Sequence, residues 1–218
     1  MRPASDQRRS RTTRVPGGPA GRRRTPSQQR SRDTVEVLLE GAAQVFDREG
    51  AAATTNRIAE RAGVSIGTLY QYFPDKTGML QALAERHVRR GIDRVEALAA
   101  ELDARRPAWD ETARAIAAAA VAEHTDRPRL HELMHRAAPL TPAGSALLAD
   151  LHTRTIALIA GQLVRCGRGG ADPARTAALV VHAADAQLHR VLLRDADPAA
   201  ELVRTADALT AITGERPG

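Results

Sequence analysis

The stretch Thr54–Lys76, TTNRIAERAGVSIGTLYQYFPDK, constrains this chain more than any other, because its caps and breakers fix where helices begin and end. A threonine oxygen at Thr54 or Thr55 can accept one of the unpaired N–H groups that open a helix. Ile58, Ala59 and Ala62 then recur at helical spacing on one inward face. Gly63 stands where the chain must turn sharply, and glycine reaches positive φ without steric cost. Ser65 can cap the next helix, Leu69 and Phe73 are its inward residues, and Pro74 stops it. Ile66, Gly67, Thr68, Tyr70, Gln71 and Tyr72 remain outward, a small, polar and aromatic surface without charge. This is a helix-turn-helix whose second helix suits a DNA groove.

The helix ahead of it carries Val35, Leu38, Leu39, Ala42, Ala43 and Phe46, followed by Gly50. With that helix, the elements TT, IA, AGVS, GTLY and YF, and a lysine two residues after the proline, resemble the DNA-binding domain of the tetracycline-repressor (TetR) family. The resemblance covers about residues 33 to 80; beyond them the chain is similar to the family only in length and helical character. It implies that Thr55 meets phosphate through its hydroxyl or adjacent N–H groups. Ile66, Gly67 and Thr68, with Ser65 at their head, would face base edges or the thymine methyl. Tyr70 and Tyr72 would set phenolic oxygens on phosphates, unless one of them packs against the first helix as core. Lys76 would bind phosphate. The reading face lacks the arginine or lysine of the commonest guanine contact, so specificity would rest on apolar contact, DNA shape and Arg57. Asn56 departs from the family's pattern. The resemblance further implies a ligand-responsive homodimeric repressor, with an activator of the same fold as the alternative. Its last two long helices would form a four-helix bundle across a two-fold axis. An inverted-repeat operator would follow, with the heads spaced by ~34–36 Å or a multiple.

Net charge is +6, but residues 1–32 hold ten arginines and one acid, and the remainder holds 22 basic and 25 acidic groups. The tail, residues 1–29, is rich in Pro, Gly, Ser and Arg without apolar periodicity, which predicts disorder. It either supplies nonspecific attraction to DNA and enters a flanking groove, or is a solvated extension. Residues 33–76 carry four basic groups against seven acidic ones, unusual for a surface that must approach phosphate. The lone cysteine, Cys166, excludes an internal disulfide and fits a reducing cytosol. No apolar run approaches the ~20 residues of a membrane helix, and no apolar segment follows the basic start, so a soluble cytoplasmic protein is expected.

The expected architecture is all-α, with about nine helices. Residues 30–76 form the helix-turn-helix domain and 77–218 an effector-binding and dimerisation domain. The first helix would start near Asp33, at capping-box spacing from Glu36, and the fourth, capped by Asp75 and with Gly91 as the place for a kink, would run to Arg105-Arg106-Pro107. Asp126 ahead of Pro128, Thr141-Pro142, Asp172-Pro173 and Asp197-Pro198 mark further starts, giving helices near 110–124, 127–137, 142–166, 173–194 and 198–213. Ala113–Ala122 is apolar but for Arg114, which suggests a central buried helix. Apolar stripes on the last two helices include Leu179, Val191 and Ile212.

His131-Glu132-Leu133-Met134-His135 matches HExxH, the motif of zinc hydrolases, in which Glu132 would be the base. A catalytic site needs a third ligand, and His152, Asp150 or Glu123 are the candidates without one standing out. A histidine pair that senses metal or ligand, and ordinary partly exposed histidines, are the other readings. His182, Asp185 and His189 share a helix face that reads first as solvated, with a dimer seam or a pocket wall as the alternatives. No phosphate loop, nucleophile elbow or nucleotide fingerprint is present, so no enzyme, cofactor or metal is expected. Trp109 is the only Phe, Trp or Tyr of the larger half. A small-molecule effector would therefore be aliphatic or acyl-like, lined by Ile116, Leu133, Met134 and Leu151 or, if these are core, by others.

Overall fold

The capping residues set most of the helix ends, because each supplies an acceptor that the first turn otherwise lacks. The computed structural model describes residues 26–190 and 197–214. Among these residues there are nine α-helices and no strand: α1 (Pro26–Glu49), α2 (Thr55–Ala62), α3 (Ile66–Tyr72), α4 (Lys76–Arg105), α5 (Trp109–Thr125), α6 (Pro128–Ala137), α7 (Pro142–Arg165), α8 (Pro173–Arg190) and α9 (Pro198–Gly214). Thr54, not Thr55, caps α2 by accepting from the Arg57 N–H at 3.3 Å. Ser65 caps α3 through the Thr68 N–H at 3.0 Å, and Asp75 caps α4 through the Gly78 N–H at 2.8 Å. Thr141, Asp172 and Asp197 do the same for α7, α8 and α9. Gly63 holds φ of 69° at the turn.

Four expectations are corrected. α1 begins at Pro26 rather than near Asp33. Proline suits a first helical turn and nothing in the next residues breaks one, so Asp33 lies inside the helix, accepting from Gln29 Nε2 at 2.9 Å. Asp126 does not cap α6; that service comes from α1, where Asp47 Oδ1 accepts from the Leu130 N–H at 3.2 Å. α4 runs on through Gly91, whose missing side chain lets Leu151 of α7 approach to 3.3 Å of where a Cβ would stand. Finally, α5 is not central. It packs on α9, with Thr112, Ala113 and Ala117 buried and Arg114, Ala118 and Ala122 on an exposed face. The arginine-rich residues 1–25 and Val191 lie outside the described residues.

Two main cores result. The first joins α1 to α4 around Leu38, Phe46, Ile58, Leu69 and Met79, and takes in Leu130 and Met134 of α6. The second joins α5, α7, α8 and α9 around Trp109, Leu163, Ala177 and Val180. Gly41 decides how closely α1 meets α2, because a Cβ there would lie 3.0 Å from Ala62 Cβ. The helix-turn-helix is thus seated on α4 and α6, as a unit too small to bury its own apolar surface requires.

Candidate nucleic-acid interface and effector cavity

α3 is held from behind by Leu69, fully buried, and Phe73. Its outer face presents Ile66, 38% exposed, Gly67, Thr68 and Tyr70, 51% exposed. Gly67 leaves that face flat: a Cβ there would meet only Ser65 Oγ, at 3.8 Å. Ser65 Oγ and Thr68 Oγ1 are 2.8 Å apart. The Tyr70 hydroxyl lies 3.1 Å from Thr55 Oγ1, so two of the expected phosphate-binding hydroxyls form one polar spot across the turn. Tyr72 instead packs partly against the first core. Lys76 donates to the Ala51 and Ala53 carbonyls at 3.1 and 2.9 Å, which fixes the loop before α2. Arg57 pairs with Glu49 at 3.0 Å, and hydrogen bonding from Arg48 first, then the charge of Arg57, lowers the Glu49 carboxyl's pKa.

The acidic excess of this region is explained by where the acids point. Glu36, Glu40 and Asp47 all turn from α3 towards the larger domain. Glu40 meets Arg127 of α6 at 2.6 Å and Arg86 of α4 at 3.7 Å, and Arg86 also meets Glu36 at 3.4 Å. Burial raises the Glu40 pKa, but the hydrogen bonds of Arg127 and Gln44 and the two arginine charges outweigh it and lower it overall. Arg129 donates to the Arg48 carbonyl at 3.1 Å. The carboxylates therefore fasten the head to α4 and α6, and the reading face carries none of them.

The other side of α6 borders a cavity of about 440 Å³ among α4 to α9. Ile116, Met134 and Leu151 line it. Leu133 does not; the helical turn carries it against the first core. The lining is mainly Ala, Leu, Ile and Val, with Arg94 ion-paired to Glu123 at one side. Six of the seven histidines also face it: His87, His124, His131, His135, His152 and His189. The seventh, His182, is exposed and stands 5.5 Å, ring to ring, from His152. Of the shared face His182, Asp185 and His189, the last two are therefore pocket wall.

HELMH does not assemble as a hydrolase site. The Glu132 side chain is 56% exposed and pairs with Arg136 at 3.1 Å, away from the histidine cluster. His131 is 8% exposed, and its Nε2 lies 3.2 Å from His189 Nδ1. Of the expected third ligands, Asp150 pairs with Arg154 and Glu123 with Arg94, while His152 lies 4.0 Å from Asp185. Burial first, then the neighbouring imidazoles, pushes His131 down to about 3 and His87 to about 4. Burial likewise lowers His124, against the hydrogen bond to the Ala120 carbonyl. The hydrogen bond from His189 lowers Asp185. Burial thus favours the neutral imidazole at His87, His124 and His131, beside the Asp185 carboxylate whose pKa is lowered. His87 and His124 escaped the sequence reading, although His124 continues the inward series Ala113, Ala117, Ala120 at helical spacing.

Two family descriptions match the chain. “Bacterial regulatory proteins, tetR family” covers residues 38–83, and “Tetracyclin repressor-like, C-terminal domain” covers residues 108–211. The nucleoid occlusion factor SlmA of Glaesserella parasuis serovar 5 (strain SH0165) is 42% identical over 59 residues, 27% of this chain and 28% of that protein. SlmA of Actinobacillus pleuropneumoniae serotype 5b (strain L20) is 61% identical over 33 residues, 15% of this chain and 16% of that one. These matches span no more than 28% of the relatives' length. In structure, the chain is similar to a putative TetR-family regulator from Mesorhizobium loti MAFF303099, with TM-score 0.63, 20% identity, and 84% and 96% of the two chains covered. FadR from Bacillus subtilis in complex with stearoyl-CoA gives 0.56 at 17% identity, with 83% and 99% covered. At such identities the likeness is one of fold.

Proposed function

The chain belongs to the tetR family of bacterial regulatory proteins and is a DNA-binding transcriptional regulator, and from that premise we propose that it is a homodimeric repressor, released from an inverted-repeat operator by a mainly aliphatic effector. The observation that carries this reading is the double role of α6. One face gives Leu130 and Met134 to the core of the reading head, and Arg127 and Arg129 bind α1. The same helix lends His131, Met134 and His135 to the cavity wall. An occupant that fits one position of α6 better than another must shift the head, because only differential affinity for two states moves their equilibrium.

On DNA, α3 enters the major groove with Ile66, Gly67 and Thr68 against base edges. Thr55 and Tyr70 contact one phosphate together, and Tyr72, Lys76 and Arg57 complete the contact set with Ser65. The two-fold partner packs on α8 and α9, whose outer faces leave Leu179 43% and Ile212 69% exposed beside Ala186 and Ala208. Effector choice follows the lining: its side chains are mainly aliphatic, and Trp109, tied by its Nε1 to Asp207 at 2.8 Å, has no second Phe, Trp or Tyr beside it to clamp a flat ligand. Footprinting the full chain on its own upstream region and on neighbouring promoters tests the reading. Protection of an inverted repeat, relieved by straight-chain acyl compounds, is expected; no protected repeat at modest salt would sink it.

A further inference from the structure

One cluster in the cavity exceeds what an aliphatic effector needs. His124 of α5, His131 of α6 and His189 of α8 converge so that one ring nitrogen from each lies within 4.8 Å of the others. They come from three helices, α5 and α6 consecutive and His189 of α8 standing 58 residues beyond His131, so helical spacing alone did not assemble them.

The hydrogen bonds decide which nitrogens are available. His124 Nδ1 lies 2.6 Å from the Ala120 carbonyl, which can only accept, so Nδ1 carries the proton and Nε2 the lone pair. His189 Nε2 lies 3.3 Å from the Asp185 carboxylate, so it donates there and leaves Nδ1 as the lone pair. That Nδ1 faces His131 Nε2 at 3.2 Å. Two imidazole nitrogens on one tetrahedral zinc, each at ~2.0–2.1 Å, stand about 3.3 Å apart. His131 Nδ1 is meanwhile buried without a hydrogen-bond partner among the described residues, which leaves this imidazole less satisfied than a buried core histidine should be. A carbonyl behind one histidine and a carboxylate behind another are the supports that orient metal-bound imidazoles.

We propose that His124, His131 and His189 form a binding site for a divalent transition-metal ion of the zinc class, with Asp185 orienting His189 and a further coordination position open to the cavity. Neutral imidazole donors suit zinc, nickel or copper and not the oxygen-seeking calcium or magnesium. The open position takes water or the anionic head of an effector whose apolar part fills the remaining lining. The site rests on the cavity reading above, and it gives α6 a specific handle. A cation that draws His131 towards α5 and α8 pulls on the helix that anchors the head. HELMH thereby contributes one ligand, not a catalytic pair.

The test uses the full chain without a histidine tag, freed of metal by chelator and dialysis. Calorimetric titration with Zn²⁺ is expected to give one ion per chain, and Co²⁺ the intense visible bands of a tetrahedral site. His124→Ala, His131→Ala and His189→Ala should each weaken zinc binding by at least about 100-fold, and Asp185→Asn by about 10–100-fold. Glu132→Gln and His182→Ala should leave it unchanged. Circular dichroism checks the fold of each variant, and His→Asn at the same position replaces any alanine variant that fails to fold. Substoichiometric zinc in the wild type, or undiminished affinity in a folded His124 or His189 variant, overturns the proposal. Operator footprints are read on the same samples. DNA protection without zinc binding retires the metal site alone, and zinc binding without protection retires the operator reading alone.

Discussion

The reading head and the sensing half solve opposite packing problems. In the head, Leu38, Phe46, Ile58, Leu69 and Met79 are each fully buried, and the close approach at Gly41 locks α1 on α2. The larger half is built around about 440 Å³ of space, and six histidines line that space. A head must hold its shape before it meets DNA, since any ordering on binding subtracts from affinity. A half that senses an effector as proposed must keep alternative packings close in energy, and a cavity lowers the cost of moving between them. α6 belongs to both regions.

The largest expected effect tests that contrast directly. Phe46→Ala should destabilise the chain by about 3–5 kcal/mol, because it opens a void in close-packed core, whereas Ile116→Ala, which only widens an existing cavity, should cost less than about half of that. Denaturant unfolding of both variants measures it, and equal losses would mean that the sensing half is as tightly packed as the head. Next, Gly67→Ala should leave thermal stability unchanged, since nothing lies closer than 3.8 Å to the new methyl. It should still reduce operator affinity by tenfold or more, about 1.4 kcal/mol, if the backbone approaches the groove. Unchanged affinity in a binding titration would move the reading surface away from Gly67.

The two adjacent threonines separate structure from contact. Thr54→Ala removes the α2 cap and should cost about 1 kcal/mol of stability. Thr55→Ala removes the hydroxyl that meets Tyr70, and should lower DNA affinity while the melting temperature stays within a degree or two. Reversal of the two outcomes would exchange their roles. Among the variants expected to lose stability, the smallest loss belongs to Arg127→Ala. Its pair with Glu40 is partly solvent-exposed, so about 0.2–1 kcal/mol is expected from unfolding curves. Operator affinity should nonetheless respond less to effector in this variant than in the wild type, because one link from α6 to α1 is gone. An undiminished response would locate the coupling in Leu130 and Met134 instead.

The helix-turn-helix was legible because its signals are local. Thr54, Gly63, Ser65, Pro74 and Asp75 act on backbone groups within four residues, and the chain carries that information in its order. The same holds for the caps before Pro142, Pro173 and Pro198. Where local rules misled, a distant group had taken the role: Asp47 caps α6 from α1, and Leu151 of α7 occupies the space that Gly91 vacates. The largely apolar stretch Ala113–Ala122 was read as burial, but alanine tolerates an exposed face and a cavity wall as well as a core.

Sequence alone determined the helix-turn-helix, most of the helix starts and the family, since each depends on spacing along one element. Tertiary structure alone decided that Glu36, Glu40 and Asp47 turn from the DNA-facing side, and that Leu133 leaves the cavity while Met134 enters it. It also decided that His124 and His189 meet His131. Those outcomes follow from how nine helices cross, and the crossing is set by packing between residues whose separation in the chain carries no local signal.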